Sequence, residues 1–303
     1  WTGRLMGPDA AKEELEIDEA HAVSAIDEIL PDLIDGRDRV YSLMGKDTEF
    51  DKKVMDWVKV IRNKARLAGH APGEFLVLDQ LLHELRLFKS AGEIRLIEQA
   101  GKISAEGHKR AMSTCKPGIK EYELEAELLH AFTRNGSRAP AYNSIVAAGD
   151  NACILHYTEN SATVEDGDLV LIDAGCEYQH YASDITRTFP ANGKFNPQQK
   201  AIYGLVLKAQ MKAIEAVAPG VPCDKPHNVS VKIITQGLVK LGLLKGRPAQ
   251  LIKAEAYRDF YMHKAGHWIG IDVHDVGDYK IKDKWRLFEP GMITTIEPGI
   301  YIA

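Results

Sequence analysis

The sequence predicts an α+β fold, and three observations carry this prediction. Several long segments repeat their apolar residues at helical spacing and begin with recognisable caps. Short runs of β-branched and aromatic residues, bounded by turn-forming residues, indicate strands between and after these helices. The sequence holds no GxGxxG loop, P-loop, low-complexity tract or obvious short repeat. Helices that flank mostly antiparallel strands favour the α+β class.

Composition excludes several classes of protein. A chain of 303 residues is long enough for two domains and a large buried core. A net charge of −5 without a basic block argues against a general nucleic-acid binder. The 4 cysteines form no CxxC pair, which indicates a reducing cytoplasm instead of a disulfide framework or zinc knuckle. No apolar run approaches the ~20 residues that span a bilayer, so no membrane association is expected.

The first part of the chain, residues 1–87, is interpreted as the remainder of an amino-terminal domain. It contains an amphipathic helix in "FDKKVMDWVKVIRNKARLAG" and a strand or short helix in "GEFLVLDQLLHELRLFKS". The character of the sequence changes near residue 88. Residues 88–303 are interpreted as a second, larger domain.

The second domain is predicted to contain three long helices and a set of strands. Ser90 and Glu93 form a capping-box pattern before the first helix, and "IKEYELEAELLHAFTRNG" indicates the second. Asn196 and Gln199 form the same pattern before the third helix, with Pro197 in its first turn. The predicted strands are "YNSIVAA", "DLVLIDAG", "YASDITRTF" and "GMITTIEPGIYI".

Two aspartates suggest a metal site. Asp173 ends an apolar run, and Asp184 follows eleven residues later among β-branched residues. If antiparallel strands join through a tight turn near residues 178–179, these two lie directly opposite each other, with Cβ atoms ~4.5–5.5 Å apart. Two carboxylates that close repel unless a cation lies between them. The alternative is a pair of turn residues on a solvated hairpin.

Histidines and one glutamate add to this hypothesis. His263, His267 and His274 fall within twelve residues among apolar residues and glycines, and His156 follows an apolar run. Glu297 ends a predicted strand at "IEPG", where a buried carboxylate needs a partner. Taken singly, each also fits a hydrogen-bonded core histidine or a surface carboxylate. Carboxylates alone suit Mn²⁺ or Mg²⁺, and an added imidazole favours transition metals such as Mn, Co, Fe or Zn.

Four segments together resemble one family. They are "CILHYTEN", "GDLVLIDAGCEYQHYASDITRTFPANGKF", "GHWIGIDVHDVG" and "EPGMITTIEPGIYIA". Their order and spacing resemble the aminopeptidase P (Xaa-Pro aminopeptidase) family of pita-bread metallopeptidases. The resemblance implies a pita-bread catalytic domain at residues 88–303, preceded by the end of a smaller α/β amino-terminal domain.

The resemblance also implies an activity and a cofactor. The family releases the N-terminal residue from peptides with proline in the second position, usually with two Mn²⁺ ions. Its ligands carry over to Asp173, Asp184, His267 and Glu297. In such enzymes a hydroxide bridging two metals ~3.5–4 Å apart attacks the peptide carbonyl. Glu297 is then the implied proton acceptor.

Other residues carry over with roles around the substrate. The resemblance implies that His263 donates a hydrogen bond to the oxyanion. It implies that His156 either shares this role or delivers a proton to the departing ring nitrogen. His274 is implied as a catalytic and substrate-binding residue beside the proline ring. The remaining substrate-pocket residues implied are Tyr142 and Tyr301, with Arg66 and Trp1 from the first domain bordering the site.

The sequence departs from the family pattern at one point. A further glutamate, in a segment reading roughly "IRIE" after "IEPG", does not occur before Ala303. The chain is therefore interpreted as truncated at both ends. A chain ending physically at Ala303 is expected to bind at most one metal tightly, to be close to inactive and to expose an unpaired strand edge.

Four alternatives remain at this point. A prolidase, which cleaves only Xaa-Pro dipeptides, shares the four ligands. A methionine aminopeptidase has the same fold but is usually a single catalytic domain. A catalytically inactive pita-bread binding module has lost ligands, and a creatinase-like hydrolase works without the metal carboxylates. The family resemblance further implies a peptide substrate and a homo-oligomer, either a dimer or a tetramer.

Overall fold

The structure is a computed structural model that describes residues 5–64 and 69–303 together with Gly3 and Arg66. Trp1 therefore lies outside the described residues. The helices in chain order are α1 (Pro8–Glu14), α2 (Ile26–Ile34), α3 (Thr48–Asn63), α4 (Leu78–Leu87), α5 (Ala91–Thr114), α6 (Glu121–Arg134), α7 (Pro197–Glu215), α8 (Lys225–Lys240) and α9 (Pro248–Lys253). The strands are β1 (Arg39–Ser42), β2 (Glu74–Val77), β3 (Ala139–Pro140), β4 (Ile145–Ala148), β5 (Leu169–Asp173), β6 (Cys176–Tyr178), β7 (Tyr181–Ala182), β8 (Thr186–Pro190), β9 (Lys280–Ile281) and β10 (Lys284–Trp285).

The chain divides into two compact units, Trp1–Leu82 and His83–Ala303. The predicted boundary between an amino-terminal and a catalytic domain after residue 87 stays a prediction. Within the described part of the chain, no helix combines the length and the apolar character needed to cross a bilayer.

The first unit contains the helix that its apolar spacing predicted. Asp47 begins α3 by accepting hydrogen bonds from the backbone amides of Glu49 and Phe50, both at 3.0 Å. The helix buries one apolar face, formed by Val54, Trp57, Val58 and Ile61. The segment predicted as a strand or a short helix contains both, since β2 runs parallel to β1 and leads directly into α4.

In the second unit, α5 and α6 cover a sheet with the strand order β4-β5-β8. The capping box at Ser90 and Glu93 forms as predicted, with the Ser90 amide donating to Glu93 at 2.7 Å. The core between helices and sheet is apolar and closely packed. Its members include Ala100, Ile103, Leu124, Leu128, Phe132, Val146, Val170 and Ile172.

The predicted pairing of the two aspartates is wrong by two residues. Asp173 lies opposite Thr186, not opposite Asp184. The turn falls one residue later than expected, at Gln179 and His180, which both adopt the left-handed conformation with φ of 47° and 69°. Moving a turn by one residue changes the cross-strand register by two, so residues keep their face of the sheet. The predicted strand "YASDITRTF" is also divided, into β7 and β8.

The remainder of the second unit packs around α7 and α8. The predicted capping box of α7 forms, with Asn196 and Gln199 exchanging hydrogen bonds of 2.9 and 2.8 Å. The run predicted as a strand at residues 291–302 is extended but forms an isolated bridge, Trp268 with Thr294, and no regular strand among the described residues. Its backbone is held at intervals, since the amides of Thr295, Glu297 and Tyr301 donate to the carbonyls of His267, Ala265 and Phe260 at 2.9, 2.7 and 2.9 Å.

Candidate metal centre

Three side chains converge on one point in the second unit. The Nε2 atom of His267 lies 3.2 Å from Oδ2 of Asp184 and 3.2 Å from Oε1 of Glu297. One donor atom from each of the three lies within 4.8 Å of the others. The exposed fraction of the side chain is 12% for Asp184, 18% for His267 and 31% for Glu297. The cluster is therefore partly dry and open on one side.

Asp173 joins this cluster through Tyr142. The Tyr142 hydroxyl lies 2.5 Å from Oδ1 of Asp173 and 3.1 Å from Oδ1 of Asp184. The two aspartates thus meet although they are not directly opposite in register, since both leave the same face. One hydroxyl proton can satisfy only one carboxylate at a time. The close approach of the aspartates therefore remains repulsive in the absence of a cation.

Close backbone packing brings the two aspartate segments together. A Cβ atom on Gly175 would lie 1.7 Å from the carbonyl oxygen of Ser183. Only glycine fits a contact of this kind, because any side chain would push the neighbouring backbone away. The sequence "DAG" at residues 173–175 thus contains a candidate metal ligand, Asp173, and the glycine that allows the segment carrying Asp184 to approach it.

The ring of His267 is oriented by the backbone. Its Nδ1 lies 2.9 Å from the Trp268 carbonyl oxygen, so Nδ1 carries a proton and donates it. Nε2 then faces Asp184 and Glu297. The backbone of His267 is fixed as well, since its amide donates to Oγ1 of Thr295 at 3.0 Å. This arrangement is typical of a metal-ligating histidine, whose second nitrogen is held by a carbonyl or carboxylate.

The electrostatics of the cluster reflect an excess of negative charge. Burial, and then the nearby charge of Asp184, raise the pKa of Asp173 above its ordinary value. Burial alone would lower the pKa of His267, but its hydrogen bonds to Asp184 and Glu297 outweigh this effect and raise the pKa to about 10. One imidazolium thus faces three carboxyl groups, too few positive charges to offset them. Perturbed values of this kind, in a cleft, are typical of functional sites.

The donor set fits a divalent metal. Asp173, Asp184 and Glu297 offer hard carboxylate oxygens, and His267 offers an imidazole nitrogen with its other nitrogen already engaged. Carboxylates with one imidazole suit Mn²⁺ and related first-row ions. A cation would remove both the repulsion between the aspartates and the need for a proton on His267.

A cavity of about 750 Å³ opens beside the cluster. The sequence-predicted residues that line it are Tyr142, His156, Asp173, Asp184, His263, His267, His274, Glu297 and Tyr301. Arg66 belongs to the first unit and is not among the lining residues. This volume is within the range of small-molecule and peptide sites.

Two histidines beside the ligands have defined contacts. His263 places Nδ1 2.7 Å from the Lys264 carbonyl oxygen and Nε2 3.1 Å from the Tyr301 hydroxyl. Burial, and then the charge of Glu297, raise the pKa of Tyr301 to about 12, so its hydroxyl stays protonated at neutral pH. The His274 ring packs edge-on against His267, with ring centroids 4.3 Å apart.

Sequence reasoning missed several residues of this site. Thr295 holds the His267 amide and donates to Oε1 of Glu297 at 2.7 Å. Other residues that line the cavity were also missed, and they include Asp224, His227, Tyr279, Trp285 and Phe288. Thr295 lies two residues before Glu297 on the same predicted strand, and side chains two apart on a strand share a face. This spacing could have predicted that Thr295 contacts the site. The other lining residues gave no such signal, because only the fold brings them to the cavity.

Comparison with known proteins shows the family of this chain. The model of metallopeptidase family M24 matches residues 95–303. The chain is 48% identical to the Xaa-Pro aminopeptidase of Escherichia coli (strain K12), over 100% of this chain and 68% of that protein. Among solved structures, Pseudomonas aeruginosa aminopeptidase PepP is 56% identical with a TM-score of 0.97, over 100% of this chain and 69% of that one. Zn-substituted E. coli aminopeptidase P in complex with product is 48% identical with a TM-score of 0.95.

The fold and the site define a metallopeptidase. The chain belongs to metallopeptidase family M24. The predicted α+β architecture with a pita-bread catalytic domain is thereby confirmed, and membership of this family implies a divalent metal, which Asp184, His267 and Glu297 could hold.

Proposed function

We propose that this protein is an aminopeptidase that releases the N-terminal residue from peptides whose second residue is proline. The observation that carries the proposal is the convergence of Asp184, His267 and Glu297 at the wall of a peptide-sized cavity. The relatives named Xaa-Pro aminopeptidase support the substrate class. Hydrolysis at a proline bond requires a water nucleophile, a proton acceptor and protonation of the leaving nitrogen.

Mn²⁺ is the proposed metal, with two ions in the intact enzyme. Asp173, Asp184, His267 and Glu297 are the residues that would hold it. A divalent metal supplies a Lewis acid and makes water acidic enough to react as hydroxide near neutral pH. The resemblance to a dimetal family and the acidic donor set support two ions.

Glu297 is proposed to accept a proton from the attacking water. Its Oε1 is engaged by Thr295 at 2.7 Å and by His267 at 3.2 Å. Within the described residues no hydrogen bond or ion pair involves Oε2, and Glu297 lines the cavity. A base must be within hydrogen-bond reach of the proton it takes, and a free oxygen at the cluster meets that condition.

His263, Tyr301 and His156 are proposed to act on the tetrahedral oxygen and the leaving nitrogen. His263 and Tyr301 share one hydrogen bond of 3.1 Å at the cavity wall, so a small rotation of the hydroxyl presents a donor to a developing negative charge. His156 lies on the same cavity and is exposed to it. An imidazole can give a proton to the proline nitrogen near neutral pH.

The proline ring is proposed to lie against His274, Tyr142 and Tyr301. Each of these residues lines the cavity and carries a planar ring. A ring surface favours the compact, apolar face of proline. Arg66 is also proposed to border the substrate, on the family resemblance alone.

We further propose a cytoplasmic homo-oligomer, a dimer or a tetramer, without affinity for nucleic acid or membranes. The support is the free state of Cys115, Cys153, Cys176 and Cys223 and a net charge of −5. An acidic surface is unsuited to phosphate backbones.

The test compares three peptides with Mn²⁺ present: Xaa-Pro-Yaa, Xaa-Ala-Yaa and the dipeptide Xaa-Pro. The proposal expects cleavage of the first, little of the second and little of the third. Equal turnover of the alanine peptide would overturn proline specificity. Preference for the dipeptide would support the alternative function, a prolidase. Full activity after exhaustive chelation would overturn the metal dependence.

A further inference from the structure

Glu121 is a fully buried carboxylate at the start of α6, and all its partners are hydrogen-bond donors. Oε1 accepts from the Ala148 amide at 2.8 Å and from Nδ2 of Asn151 at 3.3 Å. Oε2 accepts from the Tyr157 hydroxyl at 2.8 Å and from the Ala162 amide at 2.8 Å. The side chain is 0% exposed. A buried acidic group with two donors on each oxygen is well satisfied and rigidly held.

These four donors all belong to one segment, residues 148–162. The segment begins at the end of β4. Ala148 at its start and Ala162 at its end donate to Glu121 through their backbone amides. Tyr157, whose hydroxyl reaches Glu121, is 7% exposed and directly follows His156. His156 itself is exposed and lines the cavity. Glu121 thus binds both ends of the segment and the residue beside the candidate acid.

A second carboxylate of α6 repeats this contact one helical turn later. Oε2 of Glu125 accepts from Nδ2 of Asn160 at 3.0 Å. Asn160 is 3% exposed, has a left-handed φ of 47°, and also donates to the Ser144 carbonyl at 2.9 Å. The sequence stretch "HYTEN" therefore supplies two cavity residues, His156 and Thr158, and two anchors, Tyr157 and Asn160. Residues four apart on a helix share a face, which brings both carboxylates to the same segment.

The same contacts cover the free edge of β4. In the sheet order β4-β5-β8 this strand lies at the edge. The amide of Val146 donates to Oδ1 of Asn160 at 2.9 Å, and the amide of Ala148 donates to Glu121. Two alternate amides are thus satisfied by side chains instead of a further strand. A purely structural role for Glu121 would be to cover this edge.

We propose that Glu121 is a positioning residue for His156, acting through Tyr157. This inference rests on the proposed function, since it assigns His156 a part in the reaction. Loss of the Tyr157 hydroxyl leaves one acceptor position on Glu121 empty and releases the backbone next to His156. The expected result is a misplaced imidazole with an intact core, so the loss affects kcat.

The test is a double-mutant cycle between Tyr157→Phe and His156→Ala, with Xaa-Pro-Yaa hydrolysis measured in the whole, Mn²⁺-loaded protein. Tyr157→Phe is expected to lower kcat roughly tenfold to a hundredfold, because a displacement of about 1 Å can cost 10²-fold. In the His156→Ala background the same change is expected to cost less than about twofold, since residues that act as a unit are not additive. Equal fold losses in both backgrounds would overturn the proposal and leave edge coverage as the role of Glu121.

Two further measurements separate a positioning effect from a folding defect and from the choice of substrate. Tyr122→Phe is the matched control, because this tyrosine lies on the same helix and is 53% exposed; its kcat is expected to equal that of the parent. The ring resonances of His156 in protein labelled with ¹⁵N-histidine are expected to shift or broaden in Tyr157→Phe and Glu121→Gln, but not in Tyr122→Phe. Unchanged His156 resonances would overturn the positioning role. A parent without Xaa-Pro activity would refute the proposed function while these spectra still decide the positioning.

Discussion

The Nζ atom of Lys89 lies 2.9 Å from Oδ2 of Asp275, and each side chain is only 1% exposed. Arg86 adds a second cation at 2.5 Å from Oδ1 of the same aspartate. The Asp275 amide donates to the Trp268 carbonyl, which also accepts from Nδ1 of His267. A buried charge cluster therefore lies directly behind a candidate metal ligand.

We expect Lys89→Met to destabilise the protein strongly. Removing one partner leaves the Asp275 carboxylate buried and underpaired, which typically costs about 3–5 kcal/mol. The control is Lys109→Met, because Lys109 forms an exposed pair with Glu106 and its side chain is 70% exposed. That change should cost about 0–1 kcal/mol. Urea unfolding of both variants measures the difference; similar midpoints would contradict the prediction.

Gly175→Ala should disturb the metal centre through the backbone. The added Cβ would lie 1.7 Å from the Ser183 carbonyl oxygen, so the segments that carry Asp173 and Asp184 must separate. Mn²⁺ content, measured after dialysis, should fall, and the unfolding temperature should drop. Gly101→Ala is the control, because nothing lies within 4 Å of its added Cβ on α5. That variant should gain about 0.4–1 kcal/mol; loss of Mn²⁺ from both variants, or from neither, would speak against the steric argument.

The free energy of unfolding should decrease as the pH is lowered, because His108 is held neutral in the folded protein. Burial lowers the pKa of His108 below its ordinary 6.5, although its hydrogen bond to the Ala174 carbonyl opposes this. The folded state thus holds the neutral imidazole, and the unfolded state binds the proton more readily. Stability is full above about pH 6.5 and is lost as the pH falls below it, by at most about 1.4 kcal/mol per unit of pKa difference.

The measurement for His108 compares unfolding free energies at pH 7.5 and pH 5.0. His108→Gln keeps a donor for the Ala174 carbonyl and cannot titrate. The parent should lose more stability than this variant on acidification. Parallel losses in the two proteins would assign the acid sensitivity to other groups.

Metal removal should lower the unfolding temperature as well as turnover. Binding at 100 times the dissociation constant adds about 2.7 kcal/mol to stability. Asp184→Asn should lose most of the shift that Mn²⁺ produces, because the neutral amide is a weaker ligand. Asp166→Asn is the control, since Asp166 accepts a hydrogen bond from Asn192 and is not a member of the cluster. An Asp184→Asn variant with the full Mn²⁺ shift would remove Asp184 from the ligand set.

Local features of this fold could be predicted from the sequence. Ser90 with Glu93 and Asn196 with Gln199 predicted two helix starts, because a capping box needs only residues three apart. The register of the aspartate strands was predicted wrongly for an equally local reason. Left-handed two-residue turns favour asparagine and glycine, whereas this one uses Gln179 and His180. No residue type marked its position.

The long-range part of the site was accessible only through motif resemblance or not at all. Lys89 and Asp275 are 186 residues apart, and neither position is unusual in composition. Glu121 resembled an ordinary residue in the first turn of a helix, and only the structure shows the four donors around it. Burial and partner identity for such charged residues depend on tertiary packing, which helical or strand periodicity does not encode.

The ligand arrangement has a consequence for the order in which the protein folds. Asp173 and Asp184 share one hairpin and meet by closing a loop of eleven residues, which is a fast event. His267 lies 83 residues from Asp184, so it arrives only when the late part of the chain has docked. A nascent chain thus offers passing ions a weak carboxylate pair long before the imidazole is in place. Tight retention of metal therefore marks the completion of folding, because an ion that meets the carboxylate pair alone is held weakly and can exchange.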